Sequence, residues 1–304
     1  KELGWPIIAE DPLSFPDAIA HASIFLTSAQ IRAALIPQTA IVIGRTTLSR
    51  SINAFLKLAP TQVVIDPRMT TVDSDRHADK RFTQLPVLNT HKASPEWLEQ
   101  WDKYALRCAK SIDALTGFTE AVIAKEIAAN LPEGSTLFVS SSRPIRDLEG
   151  FATPRSGVTT HANRGLAGID GNISTALGIA LASKQTFAVL GDLSFLHDLT
   201  GLIHREEINC SFIVINNDGG GIFSTLPQRG VDGFESVFGT PHSLDPAAIA
   251  KAMGISATTI SSVDELKKTL KAPVKGISIV VANVPSRDEN ADSLKAIYES
   301  MNSI

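Results

Sequence analysis

Cysteine, basic charge and long apolar runs are all scarce in this sequence of 304 residues. The two cysteines, Cys108 and Cys210, form neither a CxxC pair nor a zinc-ligand spacing. This excludes a disulfide scaffold and favours a reducing, cytoplasmic setting. Lys and Arg number 28 against 32 Asp and Glu, which argues against a nucleic-acid partner. No apolar run approaches the ~18–20 residues of a membrane helix, so we expect no membrane span.

The composition is that of a globular protein with room for more than one core. Hydrophobic residues make up 43% of the chain and charged residues 20%. At about 150 residues per domain, the length predicts roughly two domains. We place the first at residues 1–110, with a linker helix predicted over Ser94–Ala114, and the second at residues 111–304.

Short apolar runs alternate with helical patterns, which is typical of parallel βαβ units. The fold class we predict is α/β, with two domains that are each a mainly parallel sheet flanked by helices. The predicted strands are Pro6–Ala9, Ser23–Leu26, Ala40–Ile43, Gln62–Ile65, Thr136–Val139, Thr186–Leu190, Ser211–Ile215 and Gly276–Val281. The other predicted helices are Leu48–Ala59, Glu120–Asn130, Asn172–Ser183, Leu193–Arg205, Pro246–Met253, Val263–Leu270 and Ser293–Met301.

The densest chemical signal lies between Thr186 and Gln228. One apolar strand ends at Gly191-Asp192, the next ends at Asn216-Asn217, and a glycine triplet follows. Open α/β sheets bind ligands at the carboxyl ends of their strands. The carboxylate of Asp192, the amide oxygen of Asn217 and the carbonyl of Gly219 form an oxygen donor set that suits Mg²⁺.

The same segment predicts a phosphate site, because a helix begins where the first strand ends. Backbone amides at a helix start can receive phosphate oxygens, and the residues in question are Gly191, Asp192, Leu193 and Ser194. An isolated Asp or Asn at a strand end often only caps a helix or turn. The pairs Gly191-Asp192 and Asn216-Asn217 at this spacing are more specific than either pair alone. The Walker lysine pattern and the dinucleotide fingerprint GxGxxG are both absent.

This segment resembles the diphosphate-binding motif of thiamine diphosphate (ThDP) enzymes. It contains GDL, 22 further residues and then NN, and Leu193 stands in place of the third glycine of the motif. Two further segments, SSSRPIRD at Ser140–Asp147 and ANRGLAGIDGNISTALG at Ala162–Gly178, are similar to one branch of that superfamily, as is NNDGGGIFSTLP. The branch comprises the 2-succinyl-5-enolpyruvyl-6-hydroxy-3-cyclohexene-1-carboxylate synthases of menaquinone biosynthesis, the MenD family.

The resemblance implies a ThDP-dependent transferase that uses Mg²⁺ or Mn²⁺. Its reaction would be decarboxylation of 2-oxoglutarate, followed by 1,4-addition of the succinyl carbanion equivalent to isochorismate. The implied metal ligands are Asp192, Asn217 and Gly219. The cofactor would also contact Ile169, as the apolar wedge between its rings, Gly191, Leu193, Ser194, Ile222 and Phe223. The implied substrate-binding residues are Arg50, Ser142, Arg146, Arg164 and Leu226.

The resemblance also implies an assembly larger than this chain. The family's activating glutamate belongs to an N-terminal domain that we do not find, so we expect no catalytic residue here and an N-terminally truncated central domain. The chain by itself is then expected to be inactive, and the full enzyme to be a homodimer or homotetramer. Alternatives are another ThDP-dependent 2-oxo acid decarboxylase, an acetohydroxyacid synthase, or a non-catalytic diphosphate-binding fragment. A Rossmann dehydrogenase is disfavoured by the missing fingerprint.

Overall fold

The computed structural model describes residues 2–68, 77–87, 90–203 and 207–302. The chain divides into two compact units. The first comprises Lys1–Glu10, Asp17–Asp113 and Ile297–Ile304, and the second comprises Asp11–Pro16 and Ala114–Ala296. A compact unit need not fold independently, so the domain boundary after residue 110 is kept as a prediction.

The first unit contains a three-stranded parallel sheet of order β1-β2-β3. Its strands are β1 (Thr39–Ile43), β2 (Thr61–Ile65) and β3 (Lys80–Phe82), and its helices are α1 (Ala22–Phe25), α2 (Ala29–Ala34), α3 (Arg50–Leu56) and α4 (Pro95–Asp113). Aromatic rings on three of these helices pack together around the buried Trp101. Its ring centroid lies 6.0 Å from that of Phe25 and 5.5 Å from that of Phe55.

Two strands predicted for this unit are wrong. Ser23–Leu26 lies largely in helix α1, and no strand forms at Pro6–Ala9. Four apolar residues cannot distinguish a buried strand from a buried helix turn by periodicity alone. Helix α1 buries Ile24 and Phe25 almost completely, so burial and not strand pairing accounts for its apolar character.

The second unit is built on a six-stranded sheet of order β5-β4-β6-β7-β9-β8, in which every neighbouring pair is parallel. Its strands are β4 (Ser135–Val139), β5 (Val158–His161), β6 (Thr186–Gly191), β7 (Cys210–Asn216), β8 (Ser256–Ile260) and β9 (Ile277–Asn283). Its helices are α5 (Glu120–Asn130), α6 (Arg143–Phe151), α7 (Asn172–Ala180), α8 (Asp192–His197), α9 (Pro246–Ala252) and α10 (Val263–Lys271), and α11 (Arg287–Ser300) begins in it.

The central strands are buried on both faces, as the apolar runs FAVL and FIVI indicate. Phe187 and Phe212 are fully buried. The predicted α/β class is confirmed: both units consist of parallel sheets flanked by helices. Among the helices that the structure describes, none combines the length and hydropathy needed to cross a lipid bilayer.

The helix predicted over Leu193–Arg205 is shorter than expected. Helix α8 ends at His197, and a separate 3₁₀ turn follows at Leu199–Ile203. Between them, the side chain of Asp198 accepts hydrogen bonds from the backbone amide and hydroxyl of Ser174. The end of the predicted helix, residues 204–205, lies outside the described residues.

The strand order of the second unit reverses direction beside β4. From β4 the chain crosses to β5 on one side, and from β5 it returns to β6 on the other side of β4. The crevice outside the carboxyl ends at such a switch point is where open α/β sheets bind ligands. The loops after β4, β5, β6 and β7 all begin at this edge, so the topology places the predicted site residues of the second unit there.

Candidate functional site at the carboxyl edge of the large sheet

Asp192 follows β6 directly and is 2% exposed. Its Oδ2 accepts hydrogen bonds from the backbone amides of Asn217, at 3.2 Å, and Gly219, at 2.9 Å. Its Oδ1 accepts the amide of Leu193 at 2.6 Å. Burial raises the pKa of Asp192, and the two bonded amides of Gly219 and Leu193 oppose that rise. The Asp192 carboxylate therefore links the ends of β6 and β7 through hydrogen bonds. Its negative charge lacks a full counter-charge.

The glycine triplet after β7 forms a turn that side chains would not fit. Gly219 has a φ of +133°, and a Cβ there would overlap the carbonyl oxygen of Gly239. A Cβ on Gly220 would overlap the carbonyl oxygen of Phe238. The turn therefore lies directly against the helical turn Glu235–Gly239, and glycine permits this close backbone approach. The Gly219 carbonyl accepts the amide of Gly221 at 3.0 Å, which leaves one lone pair for another partner.

Among the described residues, three side chains of the site carry a buried polar atom without a hydrogen-bond partner, namely Asn172 Oδ1, His242 Nε2 and Asn217 Oδ1, and only the last belongs to a predicted metal ligand. The Nδ2 of Asn217 donates to Oε1 of Glu120 at 2.5 Å. Its Oδ1 is buried and has no hydrogen-bond partner. A buried carbonyl oxygen without a partner costs free energy, so an acceptor left in this state points to a missing cation or donor.

His242 lies beside the same Asp192 oxygen that accepts the amides of Asn217 and Gly219. Its Nε2 is 3.3 Å from Asp192 Oδ2, and its Nδ1 accepts the backbone amide of Leu244 at 3.0 Å. The carboxylate of Asp218 accepts the backbone amides of His242 and Ser243, at 3.0 and 2.7 Å. Because Nδ1 is an acceptor, a neutral ring carries its proton on Nε2, facing the carboxylate.

These residues fit a magnesium ion. They offer one carboxylate, the orphaned amide oxygen of Asn217 and the partly free carbonyl of Gly219, all hard oxygen donors. No group of three His, Cys, Asp or Glu side chains arranged for a metal occurs among the described residues. A site of this kind has only one carboxylate and completes its shell with waters and ligand phosphates.

The loop that contains Ile169 is fastened to the start of α8. The hydroxyl of Ser194 donates to the carbonyl of Ile169 at 2.9 Å, and Asn172 donates to Ser194 Oγ at 3.0 Å. Asn172 also donates to the carbonyls of Gly168 and Asp170, each at 3.3 Å. The predicted wedge residue, which is half-buried, thus has its backbone fixed beside the Asp192 loop.

The polar substrate residues predicted for the second unit follow β4 and β5. Ser142 has a φ of +77° and makes no capping hydrogen bond with its side chain, although it begins α6. Its carbonyl accepts Nη1 of Arg146 at 2.6 Å. Burial lowers the pKa of Arg146, and the positive charges of Arg164 and Arg143 lower it further. The positive charge around Arg146 favours an anionic ligand there.

Three predicted apolar contacts lie on the 3₁₀ turn that follows the glycines, Gly221–Thr225, or directly after it. Ile222, Phe223 and Leu226 are half-buried, and the Phe223 ring lies 5.3 Å from that of Phe238. Arg50 is the first residue of α3 and belongs to the first unit. Its assignment to the substrate pocket stays a prediction, as do all the site roles named above.

Sequence reasoning missed Glu120, Asn172 and His242. Glu120 resembled an ordinary acidic residue in a first helical turn, and Asn172 resembled a residue of a small-residue helix. His242 stands in a loop with no motif around it. Only the hydrogen bond from Asn217 to Glu120, 97 residues away in sequence, reveals that helix α5 reaches the site.

Two family profiles match most of the chain. Residues 147–284 match the family profile described as "Thiamine pyrophosphate enzyme, C-terminal TPP binding domain". Residues 1–139 match the profile described as "Middle domain of thiamine pyrophosphate". The chain belongs to the thiamine pyrophosphate enzyme family.

Three curated proteins similar to the chain, described below, are each named 2-succinyl-5-enolpyruvyl-6-hydroxy-3-cyclohexene-1-carboxylate synthase. The protein of Thermobifida fusca is 37% identical over 88% of this chain and 51% of its own length. That of Lysinibacillus sphaericus is 31% identical over 99% of this chain and 57% of its own length. That of Listeria monocytogenes is 34% identical over 98% of this chain and 56% of its own length. The chain thus spans about half the length of the curated relatives it matches.

Proposed function

We propose that this chain carries the metal and diphosphate half of a ThDP site in a 2-succinyl-5-enolpyruvyl-6-hydroxy-3-cyclohexene-1-carboxylate synthase. In this reaction 2-oxoglutarate loses CO₂, and its remaining four-carbon unit forms a C–C bond to isochorismate by 1,4-addition. The observation that carries the proposal is the buried, unpartnered Oδ1 of Asn217 beside Asp192 and the glycine turn. The names of the similar proteins support the reaction.

Asp192, Asn217 and the Gly219 carbonyl would hold Mg²⁺, or Mn²⁺, which accepts the same oxygen ligands. ThDP, when bound, supplies an electron sink for the carbon from which CO₂ departs. The protein's part would be to hold the metal and, with it, the diphosphate. Asn172 and Ser194 hold the Ile169 loop beside it, where the side chain of Ile169 would set the conformation of the cofactor.

Arg146 and Arg164 would bind carboxylates of the substrates. Both proposed substrates are dicarboxylates, and a guanidinium group binds a carboxylate through two parallel hydrogen bonds. Arg146 is partly removed from solvent, which strengthens its interaction with an anion. The unused side chain of Ser142 stands at the start of the same helix and is available for a further polar contact.

Location and assembly belong to the same proposal. Both cysteines are unpaired and buried in the structure, which supports a reducing compartment such as the cytoplasm. We propose a homodimer or homotetramer, which sedimentation of the protein encoded by the gene would test. A monomer that is active at all concentrations would contradict it.

The reaction is tested with the protein as its gene encodes it, supplied with ThDP, Mg²⁺ and isochorismate. We expect isochorismate to disappear with 2-oxoglutarate and not with pyruvate. Asn217→Ala should abolish this loss. Asn209→Ala, an exposed asparagine before the opposite end of β7, is the matched control and should retain it. Release of CO₂ from pyruvate with no isochorismate loss would place the protein with other ThDP-dependent decarboxylases or acetohydroxyacid synthases.

A further inference from the structure

The buried carboxylate of Glu120 has no role in the site as proposed so far. Glu120 is the first residue of α5 and is 5% exposed. Helix α5 is capped by the preceding residue, since the hydroxyl of Thr119 accepts the amide of Val122. The backbone amide of Glu120 donates to Asn290 Oδ1 at 3.0 Å. The Glu120 side chain is therefore not needed as a cap, and burying it carries a desolvation cost.

The two oxygens of this carboxylate face different partners. Oε1 accepts Nδ2 of Asn217 at 2.5 Å, and Oε2 lies 3.6 Å from Nε of Arg143. An ionised carboxylate accepts hydrogen bonds and cannot donate them. The Asn217 amide must therefore direct its NH₂ group towards Glu120 and its Oδ1 away, and that Oδ1 is the buried oxygen without a partner.

The backbone leaves little room around this hydrogen bond. A Cβ on Gly221 would overlap Nδ2 of Asn217 and would lie 3.5 Å from Oε1 of Glu120. The last glycine of the triplet is thus the residue that lets the amide reach the carboxylate. A free asparagine amide can rotate by 180° and exchange its oxygen for its nitrogen, which would present NH₂ to a cation.

We infer that Glu120 is a positioning residue that fixes the amide orientation of Asn217, so that its oxygen and not its NH₂ group faces the metal. The inference rests on the proposed metal–diphosphate site. Residues that hydrogen-bond to a metal ligand, and so fix its orientation, contribute about 10–100-fold to metal affinity. The loss of Glu120 should therefore weaken metal binding even though Glu120 does not itself contact the metal.

The test measures Mn²⁺ binding in the presence of ThDP by the electron paramagnetic resonance signal of free Mn²⁺, using the protein as its gene encodes it. We expect Glu120→Ala to raise the Mn²⁺ dissociation constant by about tenfold or more. Glu120→Gln, which keeps an acceptor oxygen, should lie between that variant and the wild type. Glu126→Ala is the matched control on the same helix, because Glu126 pairs with Lys267 and Asn130 instead. It should bind Mn²⁺ as the wild type does.

A double-mutant cycle separates positioning from a general structural effect. Once Asn217→Ala has removed the amide, Glu120→Ala should change Mn²⁺ affinity by less than about twofold, because the two residues act through one interaction. An equal loss in both backgrounds would overturn the inference, as would wild-type affinity in Glu120→Ala and Glu120→Gln. If Glu120→Ala does not fold, as judged by circular dichroism without metal, Glu120→Gln is put through the same cycle. Wild-type protein that binds no Mn²⁺ with ThDP would overturn the proposed function, and this inference with it.

Discussion

Three of the buried carboxylates in the second unit have different partners near the proposed site. Asp192 accepts backbone amides, Glu120 accepts the amide of Asn217, and Asp147 pairs with Arg143. Burying a charge is unfavourable unless it is paired, so each of these side chains depends on the geometry around it. Arg143 lies between Glu120 and Asp147 and next to Ser142, which connects the metal side of the site to the helix that carries Arg146.

Asp147 provides a test at the residue scale. Burial raises its pKa from 3.8 to about 7, against the opposing charge of Arg143. Between these two values the native state binds a proton that the unfolded chain has released. The contribution of Asp147 to the free energy of unfolding therefore falls as pH rises from about 4 to about 7. Asp147→Asn removes this titration.

We expect the stability of the wild type, relative to Asp147→Asn, to decrease with rising pH across that window and to level off above it. Urea unfolding of both proteins at a series of pH values measures the difference. Parallel stability curves for the two proteins would contradict the expectation. A difference that grows in the opposite direction would mean that the ion pair with Arg143 outweighs the desolvation of Asp147.

At the scale of elements, helix α8 is short, and its position depends on packing. It has six residues, too few for a helix to be stable by itself. Phe195 is fully buried and belongs to the hydrophobic core that includes Phe138, Leu190 and Phe212. The ring of Phe195 therefore anchors the helix whose first residue is Asp192.

Phe195→Ala should lower the free energy of unfolding by about 3–5 kcal/mol, because it removes a large core side chain and leaves a cavity. Leu181→Ala is the comparison, since Leu181 is 61% exposed at the end of α7 and its truncation should cost within about 0.5 kcal/mol. Chemical denaturation of both variants measures the two effects. Similar small losses would mean that α8 is held mainly by the hydrogen bonds of Asp192.

At the scale of the whole molecule, the proposed ligands, Mg²⁺ and ThDP, should stabilise the folded state against unfolding. A ligand that binds only the native state stabilises it by about 3 kcal/mol at about 100 times its dissociation constant. Mg²⁺ with ThDP should therefore raise the melting temperature by several degrees, and a chelator should reverse the increase. Scanning calorimetry measures this shift, and Asn217→Ala should reduce it strongly. An equal shift in that variant, or with chelator present, would contradict the proposed metal ligands.

Some structural elements follow from the sequence and others do not. The helix predicted at Glu120–Asn130 has those bounds in the structure, where the hydroxyl of Thr119 caps its start. The edge strands β5 and β8 were not predicted. Their sequences, VTTH and SATTI, are polar on an exposed side, so they lack the continuous apolar runs of the central strands.

By itself, the sequence determined the α/β class, the central strands and the residues that end them, because apolar periodicity and motif spacing are local properties of the chain. It also placed Asp192, Asn217 and Gly219 in one predicted metal site, since parallel strands end at a common edge. Only the tertiary structure brought Glu120 to Asn217 and His242 to Asp192. Such contacts join segments far apart in the chain, and they depend on how helices and loops pack against the sheet edge. In the first unit, packing of α1 against α3 and α4 decided that Ser23–Leu26 is largely helical, because burial outweighs the strand preference of a short apolar run.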